Sequence, residues 1–360
     1  MPRRNPEHAL TATWLRCGRA LCVITLPLLV AGCPKPDGAG SGSGGGKYIT
    51  IGTAPTGGTF FVVGNAIQQQ LEKHADENPW HKAEANGTKG SQENIRRLAA
   101  GEIELGMSNS AISYYAYRGE SGWGKKYDIR AVVTIAPNVA MFLTKQGTGI
   151  ETIADLRGKR VVIGPAGAGF EMFVGPILEE HGLTLADLDK LNAGQSQTVD
   201  LLADGSADAV FLGGAFPTSS IVQACSTMDV VFIPFDAAAR ERLIEKYPFF
   251  DPITLPAFDA DDPEADESKT YRDLKAPFAG LSVGSMHVIT SAAMDDDTIY
   301  HVAKTLWENR KRLAEAHGSL NFIREDNAAR YSGVPFHPGA EKFYKEIGIW
   351  PENDPRRGKN

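Results

Sequence analysis

Residues 51–59 read Ile-Gly-Thr-Ala-Pro-Thr-Gly-Gly-Thr, and residues 163–169 read Ile-Gly-Pro-Ala-Gly-Ala-Gly. Each stretch leaves an apolar run, turns on glycines and enters a segment with helical periodicity. A second pair follows the first. Leu98 to Met107 and Leu202 to Phe211 both end a helix at a glycine, pass an acidic residue and begin an apolar strand. The chain therefore runs through one plan twice, which predicts an α/β protein of two Rossmann-like lobes facing one another across a cleft.

Working outward, strands are expected at 48–52, 82–85, 105–108, 131–136, 140–144, 160–164 and 209–212. Helices are expected at 61–74, 91–100, 170–181, 297–317 and 340–348, with Ser91 as an N-cap. The chain is expected to cross to the second lobe near Lys145–Gly149 and to return near Val283–Val288. That places residues 47–146 and 286–360 in lobe 1 and residues 147–285 in lobe 2. Two crossovers make a hinge, and a solute held between the lobes would favour the closed form.

The amino terminus reads as an export signal over residues 1–32. Arg3, Arg4, Arg16 and Arg19 precede the apolar run Leu21–Val30, which Pro27 interrupts and which is too short for a permanent span. The run ends in Leu29-Val30-Ala31-Gly32-Cys33, a pattern like a bacterial lipobox, with cleavage before Cys33 and a diacylglycerol on its sulfur. Residues 33–46 continue as a Gly/Ser-rich linker that has nothing to pack and would tether the fold to the membrane. Localisation in the periplasm or cell envelope follows. Once Cys17 and Cys22 leave with the signal and Cys33 is acylated, Cys225 stands alone, so no disulfide framework is expected.

The formal net charge is −7. Removing a leader with four arginines and Glu7, a net of +3, leaves about −10 for the mature chain. Such a chain is a poor nucleic-acid binder and attracts no anion at long range, so an anionic ligand must be held by local dipoles. His74, His81, His181, His287, His301, His317 and His337 are scattered, without HExxH or CxxC, and are expected on the surface or half-buried. No GxSxG elbow, Walker motif or GxGxxG is present. Neither catalytic residues nor a cofactor or metal is assigned.

The remaining candidates are loops suited to anions. Thr56, Gly57, Gly58, Thr59 and Gly167, Ala168, Gly169, Phe170 lie where helices begin, and free N–H groups there carry partial positive charge. Glycine lets a carboxylate approach the backbone, and threonine adds a hydroxyl. Thr88 and Ser91, the polar strand tip Ser108, Asn109, Ser110, and the segment with Gly214, Phe216 and Pro217 should reach the same cleft, beyond the carboxyl ends of the strands. Phe60, Phe61 and Phe216 could form apolar walls. Glu171 either receives a ligand amine or complements the first turn of its helix.

In order along the chain come Gly57-Gly58-Thr59-Phe60-Phe61, Gly87 to Leu98 (GTKGSQENIRRL), Gly101 to Gly106, Leu156 to Val161, Gly213 to Thr218, Tyr247 to Phe250 and Phe336 to Tyr344. Taken together these resemble the TAXI family of TRAP-transporter solute receptors, over nearly all of Lys47–Gly348. The resemblance implies a type II periplasmic-binding-protein fold and a monomer that hands a small carboxylate, such as glutamate or 2-oxoglutarate, to an ion-gradient-driven permease. Three departures stand out. Phe60 and Phe61 replace aromatic residues that bear hydroxyls, Gly167–Phe170 replaces a Gly-Ser-Gly-Thr loop, and Asn109-Ser110-Ala111 replaces Gln-Ser-Asp. Each loses polarity, so a ligand less polar than glutamate is expected, a monocarboxylate or a bulkier organic acid. A receptor for an ABC importer or a sensor is the alternative, and an enzyme on this fold is a third.

Overall fold

The computed structural model describes residues 47–56, 58–259 and 270–358. The expected signal, Cys33 with its linker, and Gly57 lie outside the described residues. Three strand–helix units come first: β1 (Lys47–Gly52), α1 (Thr59–Lys73), β2 (Trp80–Asn86), α2 (Ser91–Ala100), β3 (Leu105–Asn109) and α3 (Ser110–Arg118). The long strand β4 (Ile129–Lys145) leads to β5 (Arg160–Val162), α4 (Glu171–Glu180), β6 (Asp189–Leu191), α5 (Gln195–Ala203), β7 (Ala209–Gly214) and α6 (Ser219–Thr227). Next come β8 (Val230–Ile233), α7 (Ala237–Lys246), β9 (Phe250–Leu255) and a second long strand, β10 (Phe278–Ser291). The last helices are α8 (Asp296–Glu308), α9 (Arg310–Ala316) and α10 (Pro338–Glu346).

The strands join in the order β2-β1-β3-β10-β4-β7-β5-β6, with β8 beside β4 and β9 beside β10. Within each half of this path the short strands are parallel, β1 with β2 and β3, and β5 with β6 and β7. Parallel strands joined by helices bury both faces, and all five residues of β3 are buried. The α/β class expected from the repeated plan is therefore observed.

Strand β4 pairs with β10 through Ile129–Val139 and with β7 through Val139–Thr144. The two expected strands at 131–136 and 140–144 are thus one strand that serves both halves, with Pro137 opposite Ser285 of β10. Proline has no N–H to give a ladder, and the β10 register shifts where it faces Pro137. Residues 139–144, read from sequence as the end of the first lobe, lie against β7.

Direction follows from this register. β10 is antiparallel to β3 and to β4, so β3 runs with β4, out of the first half and towards the second. β7 is antiparallel to β4, so it runs back towards the first half. The carboxyl ends of β1, β2 and β3 therefore face those of β5, β6 and β7.

Two expectations are corrected. The helix expected over 297–317 breaks at Asn309, whose side-chain amide donates to the Thr305 carbonyl at 2.9 Å and competes with the helical ladder. His287 and His337 are fully buried, not surface or half-buried. His287 lies on β10 between β3 and β4, and His337 caps α10 through Nδ1, with Nε2 against the Met294 carbonyl. A scattered histidine carries no periodicity, so only the pairing of β10 reveals the burial of His287. Cys225 is buried within α6, as expected of a small apolar side chain.

Candidate functional site

Five helices begin at the facing strand ends without any side-chain cap: α1 after Gly58, α2 after Gly90, α4 after Phe170, α5 after Gly194 and α6 after Thr218. Helices α7, α8 and α10, by contrast, are capped by Asp236, Asp295 and His337. An uncapped first turn leaves N–H groups unsatisfied and its partial positive charge unneutralised, and each such terminus favours an anion by about 0.3–2 kcal/mol. Of the helices that start at these strand ends, only α3 carries a side-chain cap, from Asn109.

The expected binding residues separate into two groups. Thr56 is exposed, Thr59 half-buried, and neither hydroxyl has a partner among the described residues, whereas Phe60 packs against the core. Gly167 is exposed, Ala168 half-buried and Gly169 buried, all just before α4, and Phe170 lies half-buried against Phe173 with ring centroids 5.2 Å apart. Gly214, Phe216 and Pro217 are half-buried in the segment from β7 to α6, where the Phe216–Pro217 peptide is cis. Phe216 meets Tyr271 edge-on at 5.3 Å, and the Tyr271 hydroxyl accepts from the Thr218 N–H at 2.9 Å. Burial pushes that hydroxyl up to about 12, so it stays protonated.

The other group is committed to internal bonds. Thr88 donates to the Thr53 carbonyl and accepts from the Gly90 N–H, both at 3.1 Å. Ser91 is the first residue of α2 rather than its cap, because Gly90 with φ 104° precedes it. Its Oγ accepts from the Asn109 N–H at 3.0 Å. Asn109 caps α3 by accepting from the Ala111 N–H at 2.8 Å and donates to the Val283 carbonyl at 3.2 Å. Ser110 Oγ accepts from the Ser285 N–H at 2.8 Å. The polar tip Ser108–Ser110 therefore ties α3 to β10, and these side chains shape the cleft from behind. Glu171 sits in the first turn of α4 and pairs with Lys190 at 3.2 Å.

Sequence reasoning missed the start of α5. Gln195 donates to the Gly213 carbonyl at 2.8 Å and accepts from Ser220 Oγ at 2.7 Å, joining α5, β7 and α6. The signal was weak because β6, the strand before it, is the partly exposed triplet Asp189-Lys190-Leu191. Among the described residues no group of His, Cys, Asp or Glu side chains gathers into a metal site. Two cavities, of about 620 and 360 Å³, lie away from these loops, one lined by Tyr117, Lys126 and Phe336, the other by Arg330, Asp354 and Arg356.

Behind the tip runs a buried polar chain. Ser108 and Ser113 hydroxyls lie 2.8 Å apart, Ser113 Oγ is 2.8 Å from His287 Nε2, and Ser332 Oγ is 3.4 Å from Nδ1. Burial pushes the His287 imidazole down to about 3, so it is neutral in the folded protein. Because the unfolded chain binds a proton near pH 6.5, stability is full above that pH and falls as pH drops towards 3. Urea midpoints between pH 7 and pH 4 should therefore fall in the wild type and fall less in His287→Asn. Equal slopes would place the acid sensitivity elsewhere.

A sheet threaded by two shared strands, with facing strand ends and uncapped helix starts between them, defines a two-lobed type II periplasmic-binding-protein fold. The model described as the NMT1-like family matches residues 51–348, and the chain belongs to that family. Solved structures with a similar course share little sequence. The alkanesulfonate-binding protein SsuA from Xanthomonas axonopodis pv. citri, bound to MOPS, is 14% identical over 86% of each chain, with a TM-score of 0.46. The periplasmic aliphatic sulphonate binding protein SsuA from Escherichia coli is 15% identical over 87% of this chain and 97% of its own, with a TM-score of 0.44. PhnD1 from Prochlorococcus marinus, in complex with methylphosphonate, is 10% identical over 84% and 96%, with a TM-score of 0.47. Likenesses this distant say nothing about which solute this chain takes.

Proposed function

We propose that this chain is an extracytoplasmic solute receptor that closes on a small carboxylate and hands it to a TRAP-type permease, as its resemblance to TAXI receptors implies. The observation that carries the reading is the absence of side-chain caps on five helices whose first turns face one another. A carboxylate would be held by backbone N–H groups and by the hydroxyls of Thr56 and Thr59. Phe60, Phe61, Phe170 and Phe216 would give the solute an apolar surround, which favours a monocarboxylate or a bulkier organic acid over glutamate. Lobe 1 is taken as residues 47–146 with 286–360, lobe 2 as 147–285, and a lipid on Cys33 would hold the receptor at the membrane through residues 34–46.

Thermal shift followed by calorimetric titration tests this reading. The panel is acetate, butyrate, octanoate, benzoate, 2-oxoglutarate, glutamate and methanesulfonate. A solute at one hundred times its Kd stabilises the fold by about 2.7 kcal/mol, so even micromolar binders register. Octanoate or benzoate should bind most tightly. Glutamate binding tightest would overturn the apolar preference, methanesulfonate tightest would overturn the carboxylate, and no response to any solute would overturn the receptor.

A further inference from the structure

Gly169 and Ile112 touch across the cleft. Gly169 stands in the loop between β5 and α4, and Ile112 lies in the first turn of α3, so the two come from opposite rows of strand ends. A Cβ placed on Gly169 would come to 2.9 Å from Ile112 Cδ1, 3.3 Å from its Cγ1 and 3.4 Å from Gln92 Cγ on α2. Gly169 also has φ 91°, where side chains other than glycine are strained. Gly167, two residues earlier, has φ 75° but open space where its Cβ would stand. Backbone conformation alone therefore accounts for the glycine at 167, whereas position 169 needs glycine for contact as well.

The partner is rigidly backed. Ile112 is 2% exposed, and its turn is fixed by the Asn109 cap and by Ser110 on Ser285. On the far side, Gly284 of β10, with φ 102°, presses so closely that a Cβ there would lie 2.6 Å from Asn109 Oδ1 and 2.9 Å from the Ala111 nitrogen. The first turn of α3 cannot retreat towards β10. A lobe moving in on it stops where Gly169 meets Ile112.

We infer that Gly169 and Ile112 form the stop that limits closure of the cleft and thereby sets the length of solute it encloses. This rests on the cleft being the solute site proposed above. Ile112 Cδ1 is the atom nearest the Gly169 Cβ direction, and valine lacks only that carbon. Ile112→Val trims the stop, and Gly169→Ala thickens it.

The test titrates wild type, Ile112→Val, Gly169→Ala and the double variant with straight-chain monocarboxylates from acetate to octanoate. Circular dichroism and the ligand-free thermal midpoint check that each variant is folded, and Ile112→Leu, which keeps the carbon count, serves as a second variant. Ile112→Val should change the ratio of octanoate to butyrate affinity by threefold or more. Gly169→Ala should weaken every acid by tenfold or more, and the double variant should recover part of that loss. An unchanged ratio in Ile112→Val, or wild-type affinity in Gly169→Ala, overturns the stop while leaving the receptor standing. Silence of the wild type towards every acid overturns the receptor and the stop together.

Discussion

Asn94→Leu is expected to lower stability by about 2–4 kcal/mol, read as a fall in the urea midpoint without a change in slope. Asn94 is fully buried on α2, and its amide nitrogen donates to the carbonyls of Gly52 at 3.1 Å, Thr53 at 2.8 Å and Met107 at 2.8 Å. Two hydrogens shared among three carbonyls tie the carboxyl end of β1 to that of β3. Leucine is close in volume, so the cost comes from buried carbonyls that lose a donor, Thr53 keeping the Thr88 hydroxyl, rather than from a cavity. The side chain also has little room, since a Cβ on Gly52 would already meet Asn94 Oδ1 at 2.4 Å. Because α1 and α3 start just beyond these strand ends, the same variant should weaken solute binding as well. A loss below about 1 kcal/mol would mean that the amide contributes little to aligning the strand ends.

Gly194→Asp is expected to act in opposite directions on stability and on binding. Gly194 is the N-cap of α5 with φ −68° and ψ 160°, a conformation any residue adopts, and nothing lies within 4 Å of where its Cβ would stand. Aspartate there can accept from the free N–H groups of the first turn and complement the helix dipole. The ligand-free protein should gain a few tenths to about 1 kcal/mol. The same carboxylate fills the anion position at α5 and repels an anion nearby by up to about 4 kcal/mol at close range. Affinity for the best acid of the panel should therefore fall at least tenfold while the ligand-free thermal midpoint rises. Gly194→Asn caps the same N–H groups without charge and should lose less affinity. Unchanged binding in Gly194→Asp would remove α5 from the anion site.

How much was legible varied with the kind of signal. The units from β1 to β3 were readable because strands such as Leu105–Asn109 are short apolar runs bounded by glycine, and α2 was legible at Ser91–Ala100 although its cap is Gly90 and not Ser91. The starts of α1 and α4 were marked by the glycine-rich turns before them. The short polar β6 and the helix α5 behind it were not readable, since neither alternation nor an apolar run marks Asp189–Leu191. The hydroxyl-rich tip Ser108–Ser110 was visible as unusual. Its work of binding β10 was hidden, because Ser285 lies 175 residues from Ser110.

The sequence by itself determined the α/β class, the doubled strand–turn–helix plan and the places of the glycine-rich turns. These depend on neighbours within a few residues, where backbone preference and periodicity act. Only the tertiary structure decided that β4 and β10 serve both halves of the sheet, that Thr88, Ser91 and Asn109 are held inside the fold, and that Gly169 meets Ile112. Those outcomes depend on strand register and on which surfaces come into contact, and a residue's identity carries no record of a partner brought to it only by the folding of the whole chain.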